Sequence, residues 1–384
     1  MRHEKMACRL LMVILSAAIV FSPGAFAQKD KKQNKEKQEE KKEKQEEKKE
    51  KQEKKQTVAG TPRLWQDPGN ISERDLYWGN GGESGKPKSP FQFVKENLKG
   101  SNPKVDITDA NGTKWSVKFE AARKEVNEVH AEVVASRFVW AFGYMTEEEY
   151  FVPSGIIQGA TDLKRAKNSI GPDGSFKNAR FKKRPKGGKE KEILWDWNKN
   201  TFAGSKELSG LKILMIMLGN WDTKSVNNAV LEMRNESGQT EDWYFVSDLG
   251  TGFGQMGLWP RRRTIWILED YQKGKLIDKI EGDIVHFQYT GRSKISQIPL
   301  EHARWFAGLA SQLSPNQIRK AFEAGGATSA EIEGFSSKFT EKIEELQKAA
   351  GSQKASVPLP IAEFGFPISD CGLRIADFGF PISD

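Results

Sequence analysis

The chain has 384 residues, with 60 Lys and Arg against 52 Asp and Glu for a formal net charge of +8. Its length suits one large or two smaller domains that bury a real core. The charge is local: residues 1–27 carry +2, residues 28–56 carry +4 and residues 162–192 carry +7, so a chain-wide basic face is excluded and no specific nucleic-acid partner is expected.

The two cysteines, Cys8 and Cys371, lie near the ends, and the four histidines show no H-E-x-x-H pairing. Disulfide scaffolds and cysteine- or histidine-based zinc hydrolysis are thereby set aside. Residues 1–27 read as a secretory signal: a basic start, an apolar run from Leu10 to Phe21, then Ala25-Phe26-Ala27. The run is too short to span a bilayer, so cleavage near Ala27, no membrane span thereafter and an extracytoplasmic location (periplasmic or secreted) are expected. Residues 28–60 are a Lys/Glu-rich spacer. Its heptads (EKQEEKK) hold no apolar position, so a disordered or partly helical tether fits better than a coiled coil.

The body starts with a loop-rich entry at residues 62–80. Gly79 to Lys86 resembles a P-loop only superficially, since Asn80 stands where a Gly is needed and Pro87 where Ser or Thr would hold magnesium. Three strands are expected next: from Phe91, from Val105, and from Trp115 to Phe119 after the Asn111-Gly112 turn signal. A helix follows over 124–142, with Val126, Val129, Val133, Val134 and Phe138 on its apolar face. Tyr150 to Pro153 reads as a short strand-like connector. Residues 162–192 hold 11 basic and 4 acidic side chains and read as an exposed basic insertion. Such a loop suits solvent or, as the sharper reading, an anionic envelope polymer or lipid headgroup. Beyond it come an apolar helix over 208–218, a hairpin turning at Asn235–Gly238, and helices near 299–313, 315–324 and 328–350. The fold class is therefore α+β, with a strand-rich N-lobe over 75–158 and a mainly helical C-lobe over 193–350. Trp115, Trp140, Trp195, Trp197, Trp221, Trp243, Trp259, Trp266 and Trp305 fall at core spacings.

Phosphoryl transfer from a nucleotide needs a cation on the phosphates, oxygen ligands for a divalent metal and a carboxylate at the attacking hydroxyl. Lys118 sits on the third strand, with Glu128 and Glu132 one turn apart on the next helix. Asp222-Thr-Lys224-Ser-Val-Asn227 follows the apolar helix, and Asp248-Leu-Gly250 follows the hairpin. Singly each is weak, but together they stand in the order of a protein-kinase D-x-K-x-x-N loop and D-x-G turn. Over residues 75–350 the chain resembles the protein-kinase-like superfamily, in its atypical branch beside phosphoinositide kinases, HipA-type kinases and secretory-pathway kinases. It is similar to uncharacterised secreted bacterial members carrying GTKWSVKF, EVHAEVVASRFVWAFGY, GNWDTKSVNN and DLGTGFG.

The resemblance implies a two-lobed kinase-like fold and an ATP- and Mg²⁺- (or Mn²⁺-) dependent phosphotransferase acting on a hydroxyl acceptor. It implies Lys118 on the α/β-phosphates, Glu132 as its helix partner with Glu128 as the alternative, Asp222 at the acceptor hydroxyl and Lys224 near the transferred phosphate. Asn227 and Asp248 become metal ligands, and Gly100 and Ser101 the phosphate-covering turn. No G-x-G-x-x-G is present, Asn220-Trp221 replaces His-Arg, and no A-P-E follows, which leaves the acceptor open. The alternative is a catalytically silent kinase-fold nucleotide binder or envelope adaptor. In the tail, residues 351–384, two near-identical decapeptides end the chain. The Asp377-Phe378-Gly379 of the second follows every helix and has no catalytic loop before it.

Overall fold

The computed structural model describes residues 60–351, apart from Lys99, Ser101, Ala122, Lys124 and residues 258–262. The expected signal, the spacer up to residue 59, the decapeptide tail and Trp259 lie outside the described residues.

Strand β1 (Thr61–Arg63) belongs to the far half of the molecule, where it pairs in parallel with a later strand. The first compact unit starts with β2 (Phe91–Glu96), β3 (Lys104–Thr108) and β4 (Lys114–Phe119), antiparallel neighbours as the alternation predicts. Their second turn is set by Asp109, whose Oδ1 accepts from the amides of Asn111 and Thr113 at 2.9 Å each, while Gly112 supplies a φ of +73°. Helix α1 (Glu128–Ala141) follows, capped by the Asn127 side chain accepting from Val129 N. Strands β5 (Glu148–Gln158) and β6 (Ser175–Lys183) then close a barrel in the order β2-β3-β4-β6-β5. Trp115, Val117, Phe119, Tyr150 and Phe181 fill its interior.

Here the expectation for residues 162–192 is corrected. Far from an exposed insertion, the segment supplies β6, which lies between β4 and β5, with Phe176, Ala179 and Phe181 facing the barrel core. Of its cations, Arg180, Lys182, Lys183, Arg184 and Lys191 are ion-paired with carboxylates. Net charge in a window is blind to partners brought from elsewhere by folding. Likewise Tyr150–Pro153 is part of an 11-residue strand rather than a connector. The strand-rich lobe therefore extends past 158 to include β6.

The second half begins at β7 (Lys189–Lys191), before the expected boundary at 193. Helix α2 (Lys206–Leu218) has a Ser205 cap and ends at Gly219, whose left-handed φ of +72° turns the chain sharply. Strands β8 (Asn228–Arg234) and β9 (Thr240–Val246) form the expected hairpin, extended to a four-stranded sheet in the order β1-β9-β8-β7. After α3 (Leu268–Gln272), a three-stranded sheet joins β10 (Ile277–Glu281), β11 (Ile284–Phe287) and β12 (Gln297–Pro299). Helices α4 (Leu300–Ala310), α5 (Pro315–Ala324) and α6 (Ser329–Gly351) complete this half. The α+β class, with a strand-rich first region and a mainly helical second one, is as expected.

Helix α1 joins the halves. Ala131, Val134, Ala135 and Phe138 belong to the large core of the helical half, and Phe138 stacks on Phe339 at 4.1 Å between ring centroids. Its other face meets β5 and β6. Burial all round means that its polar side chains His130, Glu132, Ser136 and Arg137 are buried with hydrogen-bond partners rather than forming a solvent-facing stripe. Trp115, Trp195, Trp197, Trp243 and Trp266 are buried, and Trp140, Trp221 and Trp305 pack on the core, as their spacing suggests. Among the described residues no helix is long and apolar enough to cross a membrane.

Candidate active site

Alternation along β4 sends Trp115, Val117 and Phe119 into the barrel and Lys118 outward, towards α1. There Lys118 Nζ lies 2.6 Å from Glu132 Oε2 and 2.8 Å from Glu128 Oε2. Burial alone would lower the Lys118 pKa, but Glu132, Glu128 and Asp248 outweigh it and raise the value above that of a free lysine. The residue is therefore a permanent cation held inside the molecule. Both helix carboxylates contact it, and the shorter contact is to Glu132.

Glu132 is 1 % exposed and gathers more than its expected partner. Arg180 reaches it at 3.3 Å and Lys182 at 3.1 Å, both from β6. Burial pushes the Glu132 carboxyl up, yet Arg180, Lys118 and Lys182 together hold it well below the usual carboxylate range. Lys182 also contacts Glu147 at 2.8 Å and Glu149 at 3.7 Å. Burial, with Glu132 adding to it, pushes the Glu149 carboxyl up to about 8. Arg180 and Lys182 are not among the residues expected from the sequence, because a Lys- and Arg-rich window reads as a solvated loop. The signal was present: Ala179 and Phe181 alternate with Arg180 and Lys182 at the period of a half-buried strand.

The second cluster forms beyond Gly219. Asn220 is buried, and its Oδ1 accepts from Thr251 Oγ1 at 2.6 Å and from Asp222 N at 3.1 Å, fixing the loop to the segment after Asp248. Tyr289 donates to the Asn220 carbonyl at 2.9 Å from the other side. Asp222 is thus presented by a braced loop. Its Oδ2 lies 3.0 Å from Lys224 Nζ and 3.2 Å from Asn227 Nδ2. Among the described residues its Oδ1 is buried without a hydrogen-bond donor, the nearest cation being Arg292 Nε at 3.5 Å. Trp221 packs below, covered by Arg263 at 4.6 Å from the ring centroid. Arg292 and Arg263 were not anticipated, since nothing in their neighbourhood marks a loop 40 to 70 residues away as their target.

Asn227 and Asp248 stand at adjacent ends of the β8–β9 hairpin: Ser247 N donates to the Asn227 carbonyl at 2.8 Å. The same Ser247 offers its carbonyl to Lys182 Nζ at 3.0 Å, which ties the barrel to the hairpin. Carboxylate oxygens of Glu128, Glu132 and Asp248 lie within 4.8 Å of one another. Asp248 is followed by Gly250, where an added Cβ would stand 2.9 Å from Glu128 Cβ. Lys118, Glu128, Glu132, Asp222, Lys224, Asn227 and Asp248 therefore lie in one connected region between the halves. Gly100, at φ +77° in the β2–β3 turn, is exposed and its carbonyl accepts from Arg165; Ser101 lies outside the described residues.

Two other concavities, about 840 Å³ beside Trp140 and Arg234 and about 760 Å³ beside Phe119 and Ile170, are lined by none of these residues.

No protein-family model matches the chain, and no curated protein matches it. Among solved structures it is similar to the crystal structure of a Helicobacter pylori proinflammatory kinase, CtkA. The identity is 13 % and the TM-score 0.43, over 69 % of this chain and 99 % of that one. So loose a likeness leaves the chemistry to be argued from this chain's own side chains.

Proposed function

We propose that the chain is an ATP- and divalent-cation-dependent phosphotransferase of the protein-kinase-like, atypical kind, acting outside the cytoplasm on a hydroxyl acceptor. One observation carries this reading. A buried lysine on a barrel strand is ion-paired with two helix carboxylates, and the Asp248 carboxylate lies within 4.8 Å of both. A solvated strand lysine has no need of such an arrangement, whereas phosphate binding does. The pattern of residues 1–27 supports the location.

In this reading Lys118 contacts the α/β-phosphates, and Glu132 and Glu128 fix its direction. The acceptor oxygen attacks the γ-phosphorus, the β–γ bridging bond breaks with its electrons leaving on the diphosphate, and the acceptor proton passes to Asp222. The donor-free Oδ1 of Asp222 suits that task. Lys224, beside it, offsets charge near the transferred group. The Asn227 amide nitrogen is turned to Asp222, which leaves its oxygen as an acceptor, and Asp248 adds a carboxylate. Such hard oxygen donors fit Mg²⁺ or Mn²⁺, so Asn227 and Asp248 would hold the ion, with Glu128 and Glu132 engaged by Lys118. Bound there, the cation supplies neutralisation of phosphate charge.

The test follows radiolabel from the γ-phosphate of ATP, with Mg²⁺ or Mn²⁺, into protein and small-molecule hydroxyls. Transfer by the wild type is expected to fall at least about a hundredfold in Asp222→Ala and in Asp248→Ala. Variants that fold and transfer as well as the wild type would sink the assignment. Nucleotide binding without transfer by the wild type would favour the silent, kinase-fold binder.

A further inference from the structure

Strands β3, β4 and β6 set three cations directly opposite one another on the outer face of the barrel. Lys104 pairs with Lys118, and Lys118 with Arg180. Like charges facing each other across a sheet are destabilising unless something compensates them. For two of the three, something does: Lys118 and Arg180 share Glu132. Lys104 has no carboxylate within salt-bridge distance among the described residues. Asp106, its neighbour on the same face, is engaged by Lys95 at 3.5 Å.

Lys104 is nonetheless half-buried. Burial lowers its pKa, and Lys118, Arg180 and Lys182 lower it further against a smaller opposing pull from Glu132. Its ammonium lies beneath the β2–β3 turn, where an added Cβ on Gly100 would stand 3.3 Å from the nitrogen. The fold thus keeps a half-buried cation without a carboxylate partner among the described residues on the same face as Lys118, at the turn where phosphates would be covered. Conflicts of this kind between local energetics and fold mark functional positions.

We infer that Lys104 is a phosphate-binding residue, holding the phosphate chain of a nucleoside triphosphate from the side of the β2–β3 turn. This rests on the nucleotide reading above. It also accounts for a turn with a single glycine: an ammonium supplies the donors that successive backbone amides supply in a glycine-rich loop.

The experiment measures affinities of full-length wild type, Lys104→Ala and Lys104→Arg for ATP, ADP and adenosine with Mg²⁺, and for inorganic tripolyphosphate. Lys104→Ala is expected to bind ATP and ADP about ten- to a hundredfold more weakly, with adenosine unchanged and Lys104→Arg close to wild type. Without ligand, Lys104→Ala should melt no lower than wild type, because a repulsion is removed. Wild-type affinity of Lys104→Ala for ATP overturns the inference and leaves the nucleotide reading intact. Lys104-dependent binding of tripolyphosphate without any nucleotide binding overturns that reading and keeps the phosphate site. Absence of binding to every probe removes both, and a clearly lower melting temperature of unliganded Lys104→Ala makes the residue structural.

Discussion

At the scale of single residues, ionisable groups are buried in two different ways. Around Glu132, Lys118, Arg180 and Lys182 match its charge and these four groups keep theirs, while Glu149 beside Lys182 is pushed up to about 8. Lys342 on α6 is the contrasting case. It is 4 % exposed, donates to the Met217 carbonyl at 2.9 Å and lies 3.7 Å over the Tyr271 ring. Burial, with Lys338 adding to it and Glu345 and Glu341 pulling weakly the other way, lowers its pKa to about 7. Between pH 7 and the usual lysine value the unfolded chain binds this proton and the folded one does not. Stability therefore rises with pH through that window, by up to about 1.4 kcal/mol per unit, and below pH 7 the cost of the buried charge is fully present. Lys342→Met should stabilise the protein at pH 6 to 7 and flatten the rise, as measured by urea midpoints at pH 7, 8.5 and 10. The Met217 carbonyl stays satisfied by the Tyr271 hydroxyl at 2.7 Å, so the substitution leaves no orphaned acceptor.

At the scale of elements, α1 owes its position to contacts at both ends. Its apolar face rests on α5 and α6 through Phe138, which meets Phe322 and Phe339. At its start, Glu128 approaches the Asp248–Gly250 turn so closely that only a glycine fits. Gly250 has no left-handed φ, so its requirement is space rather than backbone freedom. Gly250→Ala must displace Glu128 at its Cβ, which a side-chain rotation does not relieve. The expected cost is about 1–3 kcal/mol in thermal or urea unfolding. Phosphoryl transfer should fall further than stability explains, since Asp248 moves with the turn. Gly250→Ala with wild-type stability and transfer would show that the approach is unimportant.

At the scale of the molecule, the barrel and the helical half have separate cores, and Glu132 sits where they meet. It joins α1 to β4 through Lys118 and to β6 through Arg180 and Lys182, while Lys182 continues to the Ser247 carbonyl. Removing its carboxylate leaves three buried cations facing one another. Glu132→Ala should therefore cost about 3–5 kcal/mol, as measured by denaturant unfolding, and clearly more than Glu128→Ala, whose side chain is 15 % exposed and has Lys118 alone as its ionic partner among the described residues. Equal effects would mean that the two carboxylates are interchangeable.

Much of this was legible in the sequence. Alternation at Trp115–Phe119 and the helical spacing of Leu208–Leu218 each report a buried face, because a side chain's neighbours along a regular element follow from its period alone. The chain order of Lys118, Glu132, Asp222, Asn227 and Asp248 carried the candidate site for the same reason: each stands at a recognisable point of a local element. Lys104 and Arg292 were illegible as site residues, and the alternation around Arg180 and Lys182 marks a strand without naming its partner. Their meaning lies in partners distant in the chain, and a window rich in lysine looks the same whether it faces water or a buried glutamate. The sequence by itself determined strands β2 to β4, the β8–β9 hairpin, the longer helices, the α+β class and the residues able to carry charge chemistry. Only the tertiary structure decided which charges meet, because ion pairing depends on distance in space and on the burial that strengthens it, and neither is a property of a local stretch of chain.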